Sequence, residues 1–260
     1  MNVNGYIDRK TMLYKTKVEY GDYTMNHVLG CAHGCRYPCY AYLMAKRFGK
    51  VVNYSEWVQP YLVKNTLELL KTEIPRLKHK IRSVQLCFTT DPFMYRYEEI
   101  VDLSLAAIEY LNTEGIKCRV LTKGELPASL TCLSKDNEYG ITLVSLDENY
   151  RELVEPGAAP YVDRIKALQY LSKSGCKTWV SVEPYPTPNL INQSLSTLLD
   201  TVSFANKIIF GRTNYNRDVS AYQNREAFYK SCVSEVKEFC GKNKLDCHIK
   251  AKTLRSAPDN

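Results

Sequence analysis

A partial, open α/β barrel of parallel strands is the fold class that the sequence predicts, on three observations. Strand-like and helix-like runs alternate along most of the 260 residues, and such alternation means parallel strands joined by right-handed crossovers. About six or seven β–α units can be traced, fewer than the eight that close a full barrel. The residues with chemical character fall at the ends of strand-like runs, where folds of this class carry their functional loops.

The elements follow in order. MNHVL, Met25 to Leu29, is the first expected strand and leads into a cysteine-rich loop; YAYLMAKRF, from Tyr40, then begins a helix. Trp57 to Ile74 has apolar residues at helical spacing and is expected as one helix. SVQLCF, Ser83 to Phe88, is an apolar strand stopped by the turn signal TTDP. The amphipathic run from Glu98 closes at Gly115, in the manner of a helix cap. KCRVLT is the next strand, and KGELPASLTCL leads into a helix. YGITLVSL, Tyr139 to Leu146, is a strand followed by DENYRELVEPGAAP, and YVDRIKALQYLSKSG is a helix closed by Gly175. CKTWVSVE, NLINQSLSTLLDTVSFA and NKIIFG read as strand, helix and strand; REAFYKSCVSEVKEFCGKNK is a long helix and DCHIKA a last strand. No repeat or low-complexity linker interrupts the series.

Composition narrows the function classes. Apolar residues make up 45% and charged residues 24%, which suits a globular core. No apolar run reaches the ~18–20 residues of a bilayer span, and the N-terminus lacks the apolar segment of a secretory signal. A cytoplasmic protein is expected. The net charge of +7 leans toward acidic partners such as nucleic acid. Two basic clusters stand out, RLKHKIR (Arg76 to Arg82) and HIKAKTLR (His248 to Arg255), although a solvated face accounts for either equally well. Twenty tyrosines suit stacking on bases or on a cofactor ring as well as ordinary packing.

Of the ten cysteines, only Cys31, Cys35 and Cys39 are spaced like ligands. In a reducing compartment they are not expected to form disulfides. Three thiolates leave a tetrahedral metal one ligand short. They suit a [4Fe–4S] cluster with one open iron, or a zinc ion completed by His33 or a distant Cys; plain packing is the third reading.

LGCAHGCRYPCYAYL resembles the cysteine loop of the radical S-adenosylmethionine (radical SAM) superfamily, and most resembles its spore photoproduct lyase-like branch. The matching residues are Tyr37, Cys39, Tyr40 and Ala41; Pro38 makes the second gap three residues rather than two. FTTDPF (Phe88 to Phe93) is similar to the family's T-[TS]-D segment, and VLTKG (Val120 to Gly124) to its TK segment. SLDENYRELVEPGAAPYVDRIKAL resembles a stretch with Glu155, Pro156, Gly157 and Arg164 as the matches, and WVQPYLVKN the segment after the loop. The similarity runs from about Asp22 to Pro186.

The resemblance implies a partial (β/α)6 barrel of the radical SAM type with a short C-terminal extension. Residues 1–260 would be one domain, its core about 22–215 and its terminal helix and strand about 216–260. It implies a [4Fe–4S] cluster on Cys31, Cys35 and Cys39, whose open iron chelates S-adenosylmethionine. Reductive cleavage would give a 5′-deoxyadenosyl radical that abstracts hydrogen from a substrate. In the family the Tyr37 position lies near the adenine, and Tyr40 follows the last Cys. Asp91 could pair with the cofactor's ammonium, Thr89 or Thr90 could add hydroxyls, and Lys123 or Arg164 could hold its carboxylate. Ser145 could bond the ribose or carboxylate, and Glu183 could face the cavity. An external electron donor, flavodoxin- or ferredoxin-like, is implied. A second radical SAM protein, as in pairs encoded on mobile elements, is a further expected partner.

The branch keeps a Cys beside the T-[TS]-D segment as hydrogen donor. Here Cys87 stands one position early, and strand alternation would turn it to the opposite face. Lesion reversal by that chemistry is therefore not expected. The expected substrate is a nucleic acid or nucleotide. The alternatives are radical modification of a peptide or protein, and a zinc-stabilised nucleic-acid-binding module without catalysis.

Overall fold

A computed structural model of the chain describes residues 1–16, 18, 21–36 and 39–254. In chain order its elements are β1 (Gly5–Ile7), β2 (Leu13–Lys15), β3 (Tyr23–Met25), β4 (Val28–Leu29), α1 (Tyr40–Arg47) and α2 (Tyr54–Trp57). There follow β5 (Tyr61–Val63), α3 (Thr66–Leu77), β6 (Ser83–Leu86), α4 (Glu98–Thr113) and β7 (Lys117–Thr122). Then come β8 (Glu138–Thr142), α5 (Glu148–Val154), α6 (Tyr161–Lys173), β9 (Lys177–Tyr185) and α7 (Leu195–Thr201). The chain ends on β10 (Lys207–Arg212), α8 (Arg217–Ala221), α9 (Arg225–Asn243) and β11 (Asp246–Ile249).

Eight strands form one sheet in the order β11-β10-β9-β8-β7-β6-β3-β2. Every pair from β3 to β11 is parallel, and β2 alone runs antiparallel, against β3. The sheet does not close, as the unit count predicts; β11 extends its parallel part beyond β10. A separate sheet, β1-β5-β4, lies beside the cysteine loop. The central strands read as near-continuous apolar runs because both their faces are covered. The helices turn one stripe inward: Ile100, Ser104, Ala107, Ile108 and Leu111 of α4, and Tyr229, Cys232, Val233, Val236 and Cys240 of α9, are buried.

Several boundaries differ from the sequence expectation. Met25 to Leu29 is two strands in two sheets, since β3 pairs with β6 and β4 with β5. The chain leaves the main sheet at Asn26, whose Oδ1 accepts from the backbone N and the Oγ1 of Thr89, each at 3.0 Å. Trp57 to Ile74 is not one helix. Pro60 removes an N–H and biases its predecessor away from helix; Tyr61 to Val63 then pair as β5, and α3 starts only at Thr66. KGELPASLTCL forms a 3-10 turn over Ala128–Cys132, entered through Pro127. The helix expected from Asn189 is confined to α7, where the Ser194 side chain accepts from Thr197 N. The strand expected to Leu146 stops at Thr142.

Candidate active site

The C-terminal ends of the parallel strands open into a cavity of about 530 Å³. Its wall includes Cys87 after β6, Thr122 and Lys123 at β7, Thr142 of β8, Ser181 and Glu183 of β9, Arg212 of β10 and Lys250 beyond β11. On the other side stand Cys31, Cys35 and Cys39 with Tyr40, the first residue of α1. One space therefore joins the cysteine loop to the strand ends.

The cysteine loop is held from outside itself. Gly30 enters it at φ +84°, and a side chain there would meet the backbone oxygens of Trp57 and Gln59 at 2.8 Å. Cys31 N donates to Trp57 O (2.8 Å), Arg36 N to Val154 O (2.7 Å), and Tyr54 Oη to Cys35 O (2.9 Å). Gly157 of the Glu-Pro-Gly segment docks directly on the loop. Its N donates to His33 O at 3.0 Å, and a Cβ there would lie 2.1 Å from Ala32 O. Because the obstacle is backbone, Gly157→Ala is expected to displace the loop and to cut the iron retained after anaerobic reconstitution. Iron retention equal to the unsubstituted chain would refute this coupling.

The three thiols lie within one electrostatic field. Burial raises the Cys31 pKa well above the ordinary thiol value, and the neighbouring Cys35, Asp91 and Cys39 raise it further. Cys35 is raised by burial, then drawn back by Lys123, whose Nζ is 3.6 Å from its Sγ. Cys39 is pushed up to about 11 by burial and Cys35. Three clustered thiols that oppose one another's ionisation are a donor set that a cationic centre would relieve, and in this sense the residues fit an iron–sulfur cluster. Among the described residues the thiols are not gathered into a closed single-ion site.

His33, weighed above as a fourth zinc ligand, is otherwise employed. It is buried, with Nδ1 3.4 Å from Asp91 Oδ2 and Nε2 accepting from Tyr95 N at 3.3 Å. Burial lowers its pKa well below the usual imidazole value, helped by Arg164 and Lys123. Both ring nitrogens are thus engaged by protein.

The candidate cofactor residues separate into two groups. Thr89, Thr90, Lys123 and Tyr40 line the cavity. Thr90 Oγ1 donates to Val28 O at 3.2 Å, and Lys123 Nζ stands 3.5 Å from Glu155 Oε2. Asp91 also lines the cavity, but its carboxylate is committed inward. Oδ1 accepts from Thr122 Oγ1 (2.6 Å) and Phe93 N (2.9 Å), and Oδ2 from Lys123 N (2.8 Å). Burial raises its pKa to about 6 against the pull of these donors. It ties the loop after β6 to the end of β7, so most of its acceptor capacity is taken up by protein donors rather than turned to the cavity.

Arg164 and Ser145 are not among the described residues that line the cavity. Arg164 is fully buried, with Nε on Ala159 O (2.8 Å), Nη1 on Thr142 O (2.9 Å) and Nη2 on Glu155 Oε2 (3.0 Å). Ser145 is fully buried and its Oγ accepts from Asp147 N at 3.1 Å. Both are drawn into structural bonds because buried polar side chains, and the buried backbone groups beside them, must have their hydrogen bonds satisfied. Tyr37 lies outside the described residues.

Cys87 corrects the alternation argument. The strand ends at Leu86, Cys87 adopts φ +49°, and it lines the cavity. Its Sγ is 3.4 Å from His27 Nδ1, and burial pushes its pKa up to about 12. Pleat periodicity stops at the first residue outside the ladder. Thr142, Ser181 and Arg212 were not singled out in the sequence, and their signal was only their place at strand ends.

Among the described residues no helix is long and apolar enough to cross a membrane. A family model described as Radical SAM superfamily matches residues 25–202. An uncharacterized protein of Acidianus two-tailed virus is 26% identical over 189 residues, 69% of this chain and 61% of that relative. One of Methanocaldococcus jannaschii is 27% identical over 190 residues, 72% of this chain and 68% of the relative. The chain thus spans less than two thirds of the viral protein. Spore photoproduct lyase complexed with dinucleoside spore photoproduct has the same fold at TM-score 0.68 and 15% identity, covering 94% of this chain and 80% of that one. SuiB of Streptococcus suis bound to S-adenosylmethionine aligns at TM-score 0.50 and 16% identity, covering 70% and 41%.

Proposed function

The chain belongs to the radical SAM superfamily, and on that premise we propose that it is a radical enzyme acting on a nucleic acid or nucleotide. Cys31, Cys35 and Cys39 would hold a [4Fe–4S] cluster. The observation that carries the reading is the single cavity lined by those cysteines and by the C-terminal strand ends. When bound, the cluster and S-adenosylmethionine supply reductive carbon–sulfur cleavage and a 5′-deoxyadenosyl radical, fed by a flavodoxin- or ferredoxin-like donor.

The chain's own residues bind, orient and shield. Lys123 is the cavity-lining cation nearest the cysteine loop, 3.6 Å from the Cys35 sulfur; with Glu155 taking one of its three N–H donors, the others can meet the cofactor's carboxylate. Thr89 and Thr90 line the same cavity and, with their protons given to Asn26 Oδ1 and Val28 O, can only accept from a ligand; Tyr40 lines it too. Asp91 and His33 act through the loops they fasten. Arg212, Lys250 and Lys252 also line the cavity; Glu183 pairs with Lys250 at 4.0 Å, and the remaining basic charge favours an anionic substrate over a neutral one. We read residues 1–260 as one domain, with β11 inside its sheet.

The test is anaerobic reconstitution with iron and sulfide, followed by reduction with S-adenosylmethionine. Visible iron–sulfur absorption and 5′-deoxyadenosine formation are expected. With deuterated DNA or RNA strands, deuterium is expected in the 5′-deoxyadenosine. A colourless zinc protein that forms none defeats the enzymatic reading, and transfer from peptides alone defeats the substrate reading.

A further inference from the structure

A second cavity, of about 360 Å³, adjoins the first and shares Arg212 and Thr253 with it. Its lining also includes Arg225, Glu226 and Ala227, the first three residues of α9, and Lys230 one turn on. α9 is 19 residues long, and its N-cap Asn224 makes no side-chain cap bond. The partial positive charge of a long helix N-terminus therefore points at this space. Three cations face it against the one carboxylate of Glu226.

An independent observation points to a ligand. Thr253 is 3% exposed, and among the described residues its Oγ1 has no hydrogen-bond partner. A buried hydroxyl left unpaired destabilises the fold, so a native chain retains one where something else completes it. Arg212, 6% exposed and held through Nε by Asn214 Oδ1 at 3.0 Å, lies where the two cavities join. In the larger cavity Gln85 Oε1 is also buried and, among the described residues, without a partner. It is an acceptor matched to an N–H donor such as a base presents.

We propose that the smaller cavity binds a phosphate group of the nucleic-acid or nucleotide substrate, through Arg212, Lys230, Thr253 Oγ1 and the first turn of α9. The attached base then enters the larger cavity toward the cysteine loop. This rests on the substrate reading above and names the residues that would enforce it. It also gives the basic tail HIKAKTLR a role: β11 carries Lys250, Lys252 and Thr253 to the rim.

The test is binding of a short labelled DNA strand and of a labelled mononucleotide to the reconstituted protein, across a salt series. Thr253→Val, which keeps shape and removes the hydroxyl, is expected to weaken binding about tenfold. Lys230→Gln, at an exposed position, is expected to lower the slope of log affinity against log salt by about 0.7. Lys166→Gln, on the exposed outer face of α6, is expected to change neither. Binding of the strand alone assigns a polymer substrate, and equal binding of the mononucleotide assigns a free one. The proposal is overturned if neither probe binds, if Thr253→Val and Lys230→Gln bind like the parent, or if an acidic peptide competes as well as the strand. Formation of 5′-deoxyadenosine without substrate is read in parallel. Its absence, beside intact phosphate binding through these residues, refutes the radical reading and leaves the site standing.

Discussion

Replacing Glu155 with leucine is expected to cost about 3–5 kcal/mol of folding stability, the range for stripping one partner from a buried ion pair. Glu155 and Arg164 are both fully buried and 3.0 Å apart, and Lys123 stands 3.5 Å from the same carboxylate oxygen. Without the carboxylate, the Arg164 guanidinium keeps the carbonyls of Ala159 and Thr142 and the Tyr161 ring, 4.9 Å from its Cζ, but among the described residues no carboxylate within ion-pair distance. The double replacement Glu155→Leu with Arg164→Leu is expected to cost less than the single one, because it removes the stranded charge as well. Denaturant unfolding of the two singles and the double measures this coupling, and simple additivity would refute it. Burial alone would raise the Glu155 pKa, but Lys123 and Arg164, with hydrogen bonds from Arg164 and Tyr161, outweigh it and leave it lowered. A lowered carboxyl pKa contributes stability that is present above the unfolded value and lost as pH falls through the folded one. Glu155→Gln is therefore expected to flatten the acid side of the stability profile below about pH 4.3.

Replacing Cys35 with alanine is expected to reduce iron retention and to bring 5′-deoxyadenosine formation down to background. Cys35 is central to the loop. Its carbonyl holds Tyr54 Oη, and its sulfur is the one nearest Lys123. Lys123→Met is the informative comparison. It removes a cation 3.6 Å from that sulfur and 3.5 Å from Glu155, but no thiol. It is expected to keep the cluster's visible absorption while weakening S-adenosylmethionine binding, read as a rise in KM larger than the fall in kcat. If Cys35→Ala retains full activity, the three-cysteine assignment is wrong. If Lys123→Met loses the absorption as Cys35→Ala does, Lys123 serves the loop and not the cofactor.

The parts of the fold that were legible in sequence are those set by local chemistry. Apolar runs bounded by turns became the parallel strands, and α4, α6 and α9 kept their amphipathic stripes. Spacing alone singled out Cys31, Cys35 and Cys39, and strand-end position placed Thr89, Thr90 and Lys123 at the cavity. Two of the misreadings come from carrying a local period past the point where it ends. Cys87 was judged by a pleat that had already ended, and Trp57 to Ile74 by a helical period that Pro60 and the pairing of β5 override.

The sequence by itself determined an open parallel barrel and a loop of three ligand-spaced thiols, because strand–helix alternation and cysteine spacing are properties of neighbouring residues. Which polar side chains remain available to a ligand was decided only by tertiary structure. Asp91, Arg164 and His33 look like binding groups as letters, but folding buries them and fills their hydrogen bonds from segments distant in the chain. Thr253 looks ordinary as a letter, and only the packing around β11 and α9 leaves its hydroxyl buried and, among the described residues, unpartnered at the join of two cavities.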